Sequence, residues 1–385
     1  MGNCKSGDCL AFQHCCLISP EKLTVKVLLL VNGLGLGNST RCHGVIQRLR
    51  DRNARIRIVT SGNGLWYFGN NPDIEKVYQT GSLHYGADNG SISISRTLAS
   101  VGTALATLRA NASMLDDILE DYRPDVVVTD SDYVFAPMRQ RCIPLVALNN
   151  ADVVRANYRR FGDAPSSVRA QYYCVETPDS IYHRLIPDLV ISPTMMPDRH
   201  TDSGNIVHVG PIVRKGFIAE QASGASGDRA VIMLSGSHFG TPVEIERNAF
   251  GLPVDIVGRD MTSGLAPDSS IRYLGKVTNT LPLLESARAI VVNGGFSAVS
   301  EVFCLRKPVV VLPVPRHAEQ WSNAREIEEL GVGIMGTEET YIDDLTRLLS
   351  GYDKFDEACR QMQAPPDGAS AAADIILSLA RQNAS

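Results

Sequence analysis

The sequence predicts an α/β protein of two doubly wound domains facing across a cleft, and three observations carry that expectation. Short, near-continuous apolar runs alternate with stretches of helical period, as parallel strands do with the helices that cover them. Two of these runs, residues 25–31 and 229–234, each lead into a glycine-bearing turn, so the chain opens the same way twice. At 385 residues it is too long for one ordinary core and has the length of two domains of common size. Each half is therefore expected to be Rossmann-like, with ligands bound in the cleft between them.

The run at 25–31 enters Gly33-Leu34-Gly35-Leu36-Gly37-Asn38-Ser39-Thr40-Arg41, after which Val45, Ile46 and Leu49 recur at helical spacing. Residues 56–60 read as the second strand and 95–119 as a long helical region. Residues 125–129 form a third strand, delivered to Asp130-Ser131-Asp132-Tyr133. Residues 144–148 form a fourth, ending at Asn149-Asn150-Ala151-Asp152, and strands at 188–192 and 206–209 complete the first half. The stretch 155–184 is aromatic and mixed in charge; it reads as an amphipathic helix pair covering the sheet, the other reading being an acceptor or membrane-surface contact.

Gly210-Pro211-Ile212 begins the connection, and residues 219–228 have the small, polar composition of a linker. The expected division is a leader at 1–24, a first domain at 25–210, a linker at 211–228 and a second domain at 229–385, whose final helix at 371–381 is free to pack back on the first. The second domain opens with 229–234 and the turn Ser235-Gly236-Ser237-His238-Phe239-Gly240, followed by strands at 254–257 and 271–274.

Composition removes several function classes. Hydrophobic residues make up 44% and charged residues 21%, as in ordinary globular proteins. No apolar run approaches the roughly 18 residues that span a bilayer. The formal charge of −5 argues against a general nucleic-acid binder. Four of the nine cysteines crowd into the first 16 residues, and the other five lack zinc-type spacing and read as reduced, intracellular thiols. Met1-Gly2-Asn3-Cys4-Lys5-Ser6 fits the myristoylation pattern with a cysteine beside it; the plainer reading is a disordered leader, and Asp8 and Gln13 interrupt any secretory apolar core. A cytoplasmic protein is expected, or one peripheral at the inner face of the membrane.

The most informative stretch is 289–323. A buried run at 289–292 stops at Asn293-Gly294-Gly295, and Val299, Val302 and Phe303 then recur at helical spacing: strand, glycine turn, helix. Such a turn lets a ligand approach bare backbone, and the helix aims its unpaired N–H groups at it, so a diphosphate fits there. Ser297 in the first helical turn can donate to a phosphate oxygen, and Glu301 one turn on can accept from both hydroxyls of a ribose. The strand at 308–312 then delivers a polar loop carrying His317, Glu319 and Gln320.

This segment resembles the nucleotide-sugar signature of GT-B glycosyltransferases, in the branch that holds the MurG-like transferases and the UDP-glycosyltransferases. In the first half G-L-G-L-G-N-S-T-R, P-D-V-V-V-T-D, I-P-L-V-A-L-N-N and V-G-P-I resemble the MurG-like group; G-G-F-S-A-V-S-E and P-R-H-A-E-Q-W-S-N-A in the second half are more specific. The resemblance implies that Gly294, Gly295 and Ser297 hold the diphosphate and Glu301 the ribose. It places Glu319 and Gln320, on the loop with His317, at the donor sugar hydroxyls, with Asn323 supporting that loop. Ser237 and His238 would approach the phosphates, and Val277 would lie by the base. Gly35, Gly37, Asn38 and Ser39 would form the loop facing acceptor and phosphate.

One departure matters. Members of the family commonly carry histidine where this chain has Asn38, and an amide can position a hydroxyl but cannot deprotonate it at neutral pH. A base must then come from Asp132 or Asp130 at the end of the third strand, with His43 the other option and Asp152 a weaker third. The reading is an inverting, metal-independent transfer from a nucleotide-sugar, a UDP-sugar in the first instance, to an acceptor hydroxyl on a glycan, lipid-linked sugar or small molecule, with no cofactor. A nucleotide-sugar hydrolase or 2-epimerase of the same fold, or a non-catalytic nucleotide-sugar binder, are the alternatives.

Overall fold

The computed structural model describes residues 24–33, 35–81, 87–88, 91–92, 101–218, 227–234, 248, 250–258 and 268–384. The apolar runs become strands: β1 Lys26–Val31, β2 Arg55–Thr60, β3 Lys76–Gln79, the two-residue pair β4 Ala87–Asp88 and β5 Ser91–Ile92, β6 Val126–Asp130, β7 Leu145–Leu148, β8 Leu189–Pro193 and β9 Ile206–Val209. In the second half they are β10 Arg229–Met233, β11 Val254–Val257, β12 Ile271–Tyr273, β13 Ala287–Asn293, β14 Val309–Leu312 and β15 Gly333–Met335. Thirteen of them assemble into two sheets, ordered β3-β2-β1-β6-β7-β8-β9 and β12-β11-β10-β13-β14-β15, each parallel throughout, while β4 and β5 form a separate antiparallel pair. This is the expected α/β architecture of two doubly wound sheets. The edge strands β3 and β15 were not expected from the sequence, because a run of three or four residues carries too little periodicity to register.

Strands β1 and β6 are buried along nearly their whole length, with apolar runs at residues 27–31 and 126–128, because helices cover both faces of the sheet. The order of strands reverses between β1 and β6 in one sheet and between β10 and β13 in the other. These switch points open crevices at the carboxyl ends of the strands. The register Val31↔Asp130 carries Asp130 to that end in the first sheet, and Asn293↔Leu312 brings the turn at Gly294 beside the loop after β14 in the second.

Two of the junctions between the halves bear on the sequence expectations. The last helix, Gly368–Ala384, leaves the second sheet and packs on the first: Ala369, Ala372, Ala373, Ile376 and Ala380 share one core with Cys42, Val45, Ile46 and Leu49 of the helix Leu36–Asp51. Arg52 adds an ion pair to Asp374 at 2.7 Å. Small residues dominate this contact, so the two helices approach closely.

The second junction corrects the expectation for 155–184. This stretch forms the helices Ala151–Phe161, Ser166–Gln171 and Thr177–Leu185 joined by a π turn, Tyr172–Glu176. Its apolar stripe covers the opposite domain as well as its own sheet. Val168 and Tyr172 cluster with Ala318 and Trp321, with Tyr158 and Phe161 packed against them, and Asn157 Nδ2 donates to Glu326 Oε2 at 3.1 Å. An apolar period shows that a face is buried, not which partner buries it. Among the described residues, no helix is long and apolar enough to cross a membrane.

Candidate active site

The two switch points face one another across a cleft of about 410 Å³ lined by both halves. On the second-domain side β13 ends at Asn293, and the helix Phe296–Cys304 begins after Gly295 with no side chain capping it. Its first-turn amides therefore lack a side-chain acceptor at the cleft. A Cβ at Gly294 would lie 2.8 Å from both Cβ and the carbonyl oxygen of Gln320, so only glycine lets the loop after β14 lie this close. Asn323 Nδ2 donates to Gly294 O at 2.9 Å and ties the same loop to the turn.

Ser297 lines the cleft, but its hydroxyl donates across it to Gly37 O at 2.7 Å, so a phosphate taking that hydroxyl displaces this bond. Glu301 also lines the cleft. It is 4% exposed and receives a two-pronged salt bridge from Arg214, Nε to Oε1 at 2.7 Å and Nη2 to Oε2 at 2.9 Å. Arg214 further donates to Thr278 O at 2.5 Å and to Thr280 Oγ1 at 2.9 Å, which pins the connection between the domains to the second one. Burial pushes the Glu301 carboxyl up, and the guanidinium opposes it. Each carboxylate oxygen keeps a lone pair for a ligand.

Val277, His317, Glu319 and Gln320 are all at the cleft wall. Gln320 Oε1 already accepts from Val314 N at 3.0 Å, shaping the loop. His317 stands just before the helix Ala318–Glu329; burial holds its imidazole down at about 4, and Nδ1 is buried with no partner. Burial likewise raises Glu319, with the Arg41 charge opposing. Ser237 and His238 lie outside the described residues.

On the first-domain side Gly35, Gly37 and Asn38 line the cleft. Asn38 Nδ2 donates to Asn32 O at 3.4 Å, a long bond that holds the turn. Ser39 is fully buried in the helix, away from the cleft wall, so it does not face a ligand. The geometry also corrects the expected bases. Asp130 is 0% exposed and both its oxygens are taken by Arg41, at 2.8 and 2.5 Å. His43 is wedged inside the domain, Nδ1 2.9 Å from Tyr67 Oη and Nε2 3.3 Å from Asn71 Nδ2. Burial and then the Arg214 charge hold it down at about 4. Asp132 does not line the cleft, although both its neighbours do; its Oδ1 accepts from Val134 N at 3.0 Å, closing its own turn, and burial raises it. Asp152 is bonded to Ser192 at 2.7 Å and to His208 at 2.7 Å. A strand end brings a carboxylate to the right edge of the sheet, but its rotamer and neighbours decide whether it meets substrate.

Five charged groups of the cleft were missed, Arg41, Glu176, Asp179, Arg214 and Lys276. Arg214 sits three residues beyond Pro211 in the connection, and a buried-side glutamate at 301 was the signal that some cation must reach it. Arg41 ends the glycine turn and holds Asp130. Glu176 reaches the cleft through the π turn; its signal was a carboxylate four residues after Tyr172 on the stripe begun by Val168.

A family model described as Glycosyl transferase family 1 matches residues 25–350. Among curated proteins the chain is similar to an uncharacterized glycosyltransferase of Methanosarcina acetivorans, 23% identical over 336 residues that cover 81% of this chain and 85% of the relative. Among solved structures it is similar to MurG of Acinetobacter baumannii, with a TM-score of 0.56, 16% identity and coverage of 92% of this chain and 99% of the other. It is also similar to LpCGTa in complex with UDP, with a TM-score of 0.59, 15% identity and coverage of 92% and 99%. At these identities the structural likeness shows the fold, which is GT-B.

Proposed function

The chain belongs to glycosyl transferase family 1, and from that premise we propose that it moves a sugar from a UDP-sugar, held by the second domain, to an acceptor hydroxyl held by the first, with inversion and without a metal. The observation that carries this is the cleft: the uncapped terminus of the helix Phe296–Cys304 and buried Glu301 on one wall stand opposite the glycine turn and the amides of Asn149 and Asn150 on the other. The helix terminus supplies the positive end that stabilises a departing diphosphate, with Arg41 and Lys276 also at the wall. Glu301 would accept from the ribose hydroxyls, and Glu319 and Gln320 from the sugar. That a similar structure was solved with UDP supports the choice of nucleotide. Enclosure from both domains leaves room for a separate acceptor and so favours transfer over hydrolysis or epimerisation of the donor. The acceptor wall is rich in amides and carboxylates, which suits a hydroxyl-bearing acceptor such as a glycan.

The test is a panel of UDP-glucose, UDP-galactose, UDP-N-acetylglucosamine, UDP-N-acetylgalactosamine and UDP-glucuronate. UDP binding is measured by calorimetry, and UDP release with and without EDTA. Binding of UDP, with release from at least one sugar that survives EDTA, is expected. No UDP binding overturns the donor reading, and loss of release on chelation, restored by magnesium or manganese, overturns metal independence.

A further inference from the structure

Four carboxylates line the cleft, and three are committed. Glu301 is paired with Arg214. Asp179 accepts from Tyr133 Oη at 2.8 Å on one oxygen and from Asn149 Nδ2 at 2.9 Å on the other, with His183 Nδ1 3.2 Å away. Glu319 belongs to the donor loop and faces Arg41. The fourth is Glu176, at the end of the π turn Tyr172–Glu176, 7% exposed and at the cleft wall. The wide turn adds a residue to the helix and so turns Glu176 toward the cleft. Its Oε1 accepts from Gln171 Nε2 at 2.7 Å; among the described residues Oε2 accepts from none. Gln171 Oε1 in turn accepts from Ala318 N at 3.0 Å, the residue next to Glu319. One glutamine thus fixes the Glu176 carboxyl relative to the loop that faces the donor sugar, across the domain junction. Beside it Asn150, 6% exposed, lines the cleft; its Nδ2 is buried without a partner of hydrogen-bond geometry, although the amide lies close enough to Glu319 to favour that group's charge. It can donate to a substrate oxygen.

We propose that Glu176 is the general base of the transfer, with Gln171 placing its carboxyl and Asn150 placing the acceptor hydroxyl against it; the assignment rests on the transferase reading above. The acceptor O–H bond breaks and its proton passes to Glu176 Oε2. The oxygen forms a bond to C1 of the donor sugar from the first-domain side. The C1–O bond to the diphosphate breaks with its electron pair on the phosphate oxygen, and the anomeric centre inverts. Glu176 later loses the proton to solvent. This replaces the function that Asn38 cannot supply, from a segment far along the chain.

The electrostatics suit the role. Burial and then the charge of Glu319 push Glu176 up to about 8, with Gln171 opposing and Asp179 adding to the rise. The groups facing this pair are Asp179 with His183 on the following helix, Arg41 on the glycine-turn helix, and Asp130 on β6. A base with a raised pKa is mostly protonated at neutrality, so turnover should rise about tenfold per pH unit and level off above pH ~8.

The test uses the full chain, UDP calorimetry, and UDP release from the panel sugar that the wild type turns over fastest with water as acceptor, followed from pH 6 to 9. E176Q, isosteric and still able to accept from Gln171, should keep its melting temperature and bind UDP within twofold of wild type. It should lose turnover about 10²–10⁴-fold together with the pH-dependent rise. E176D should keep part of the turnover and the rise. E176Q within tenfold of wild type with the rise intact overturns the assignment alone, and so does a variant that loses UDP affinity in step with turnover. Should E176Q fail to fold, a flat pH profile in wild type and E176D overturns it. A wild type that does not bind UDP overturns the transferase reading and this assignment with it.

Discussion

Arg214 and Glu301 form a buried pair whose two functions can be separated. Both are nearly sealed from solvent, at 6% and 4% exposed, and are joined by two charge-assisted bonds of 2.7 and 2.9 Å. In Arg214→Met the carboxylate loses its cation inside the protein and must either stay charged without a partner or take up a proton. Breaking one side of a buried pair costs about 3–5 kcal/mol. For a domain of this size that corresponds to a melting temperature lower by roughly 6–20 °C. The double variant Arg214→Met/Glu301→Leu removes both charges and should recover most of that loss, since an apolar pair of similar volume is often no less stable than an ion pair. Its UDP affinity should nevertheless stay about ten- to hundredfold below wild type, the worth of a lost hydrogen bond to a charged group. Scanning fluorimetry reads the first effect and calorimetry with UDP the second. A single variant melting within 2 °C of wild type would refute the uncompensated burial, and a double variant binding UDP as tightly as wild type would refute the ribose role of Glu301.

Two further outcomes follow from the same geometry. His43 is held down at about 4 against an ordinary 6.5 by burial and then by the Arg214 charge; a lowered folded pKa means its contribution is present above pH 6.5 and is lost as pH falls from 6.5 to 4, by about 3 kcal/mol. Wild type should therefore lose more stability between pH 7 and 4.5 than His43→Asn in denaturant titrations, and equal losses would contradict the buried neutral imidazole. Gly294→Ala places a methyl 2.8 Å from the Gln320 backbone; it should weaken UDP binding at least tenfold by displacing the loop after β14, and unchanged affinity would show that the loop does not shape the donor site.

The sequence by itself determined what repeats locally. Continuous apolar runs fixed the strands that carry both switch points, because a strand buried on two faces leaves no polar position to blur the pattern. The turn at Asn293-Gly294-Gly295 announced a site because glycine, then a helix start, is a local requirement for holding an anion. Glu301 likewise declared that a partner must exist, though not which one. Tertiary structure alone decided the rest, since each remaining question concerned two groups distant in the chain. Arg214 reaches Glu301 over 87 positions, Arg41 neutralises Asp130 over 89, and Gln171 links to Ala318 over 147. Asp130 looked available because a strand end predicts the place of a carboxylate and says nothing of its neighbours. Glu176 stood on the stripe of Val168 and Tyr172, but helical spacing shows that a face is buried and not that it meets a cleft. Charge balance in a cleft is a sum over space, and the chain order that sets local conformation does not contain that sum.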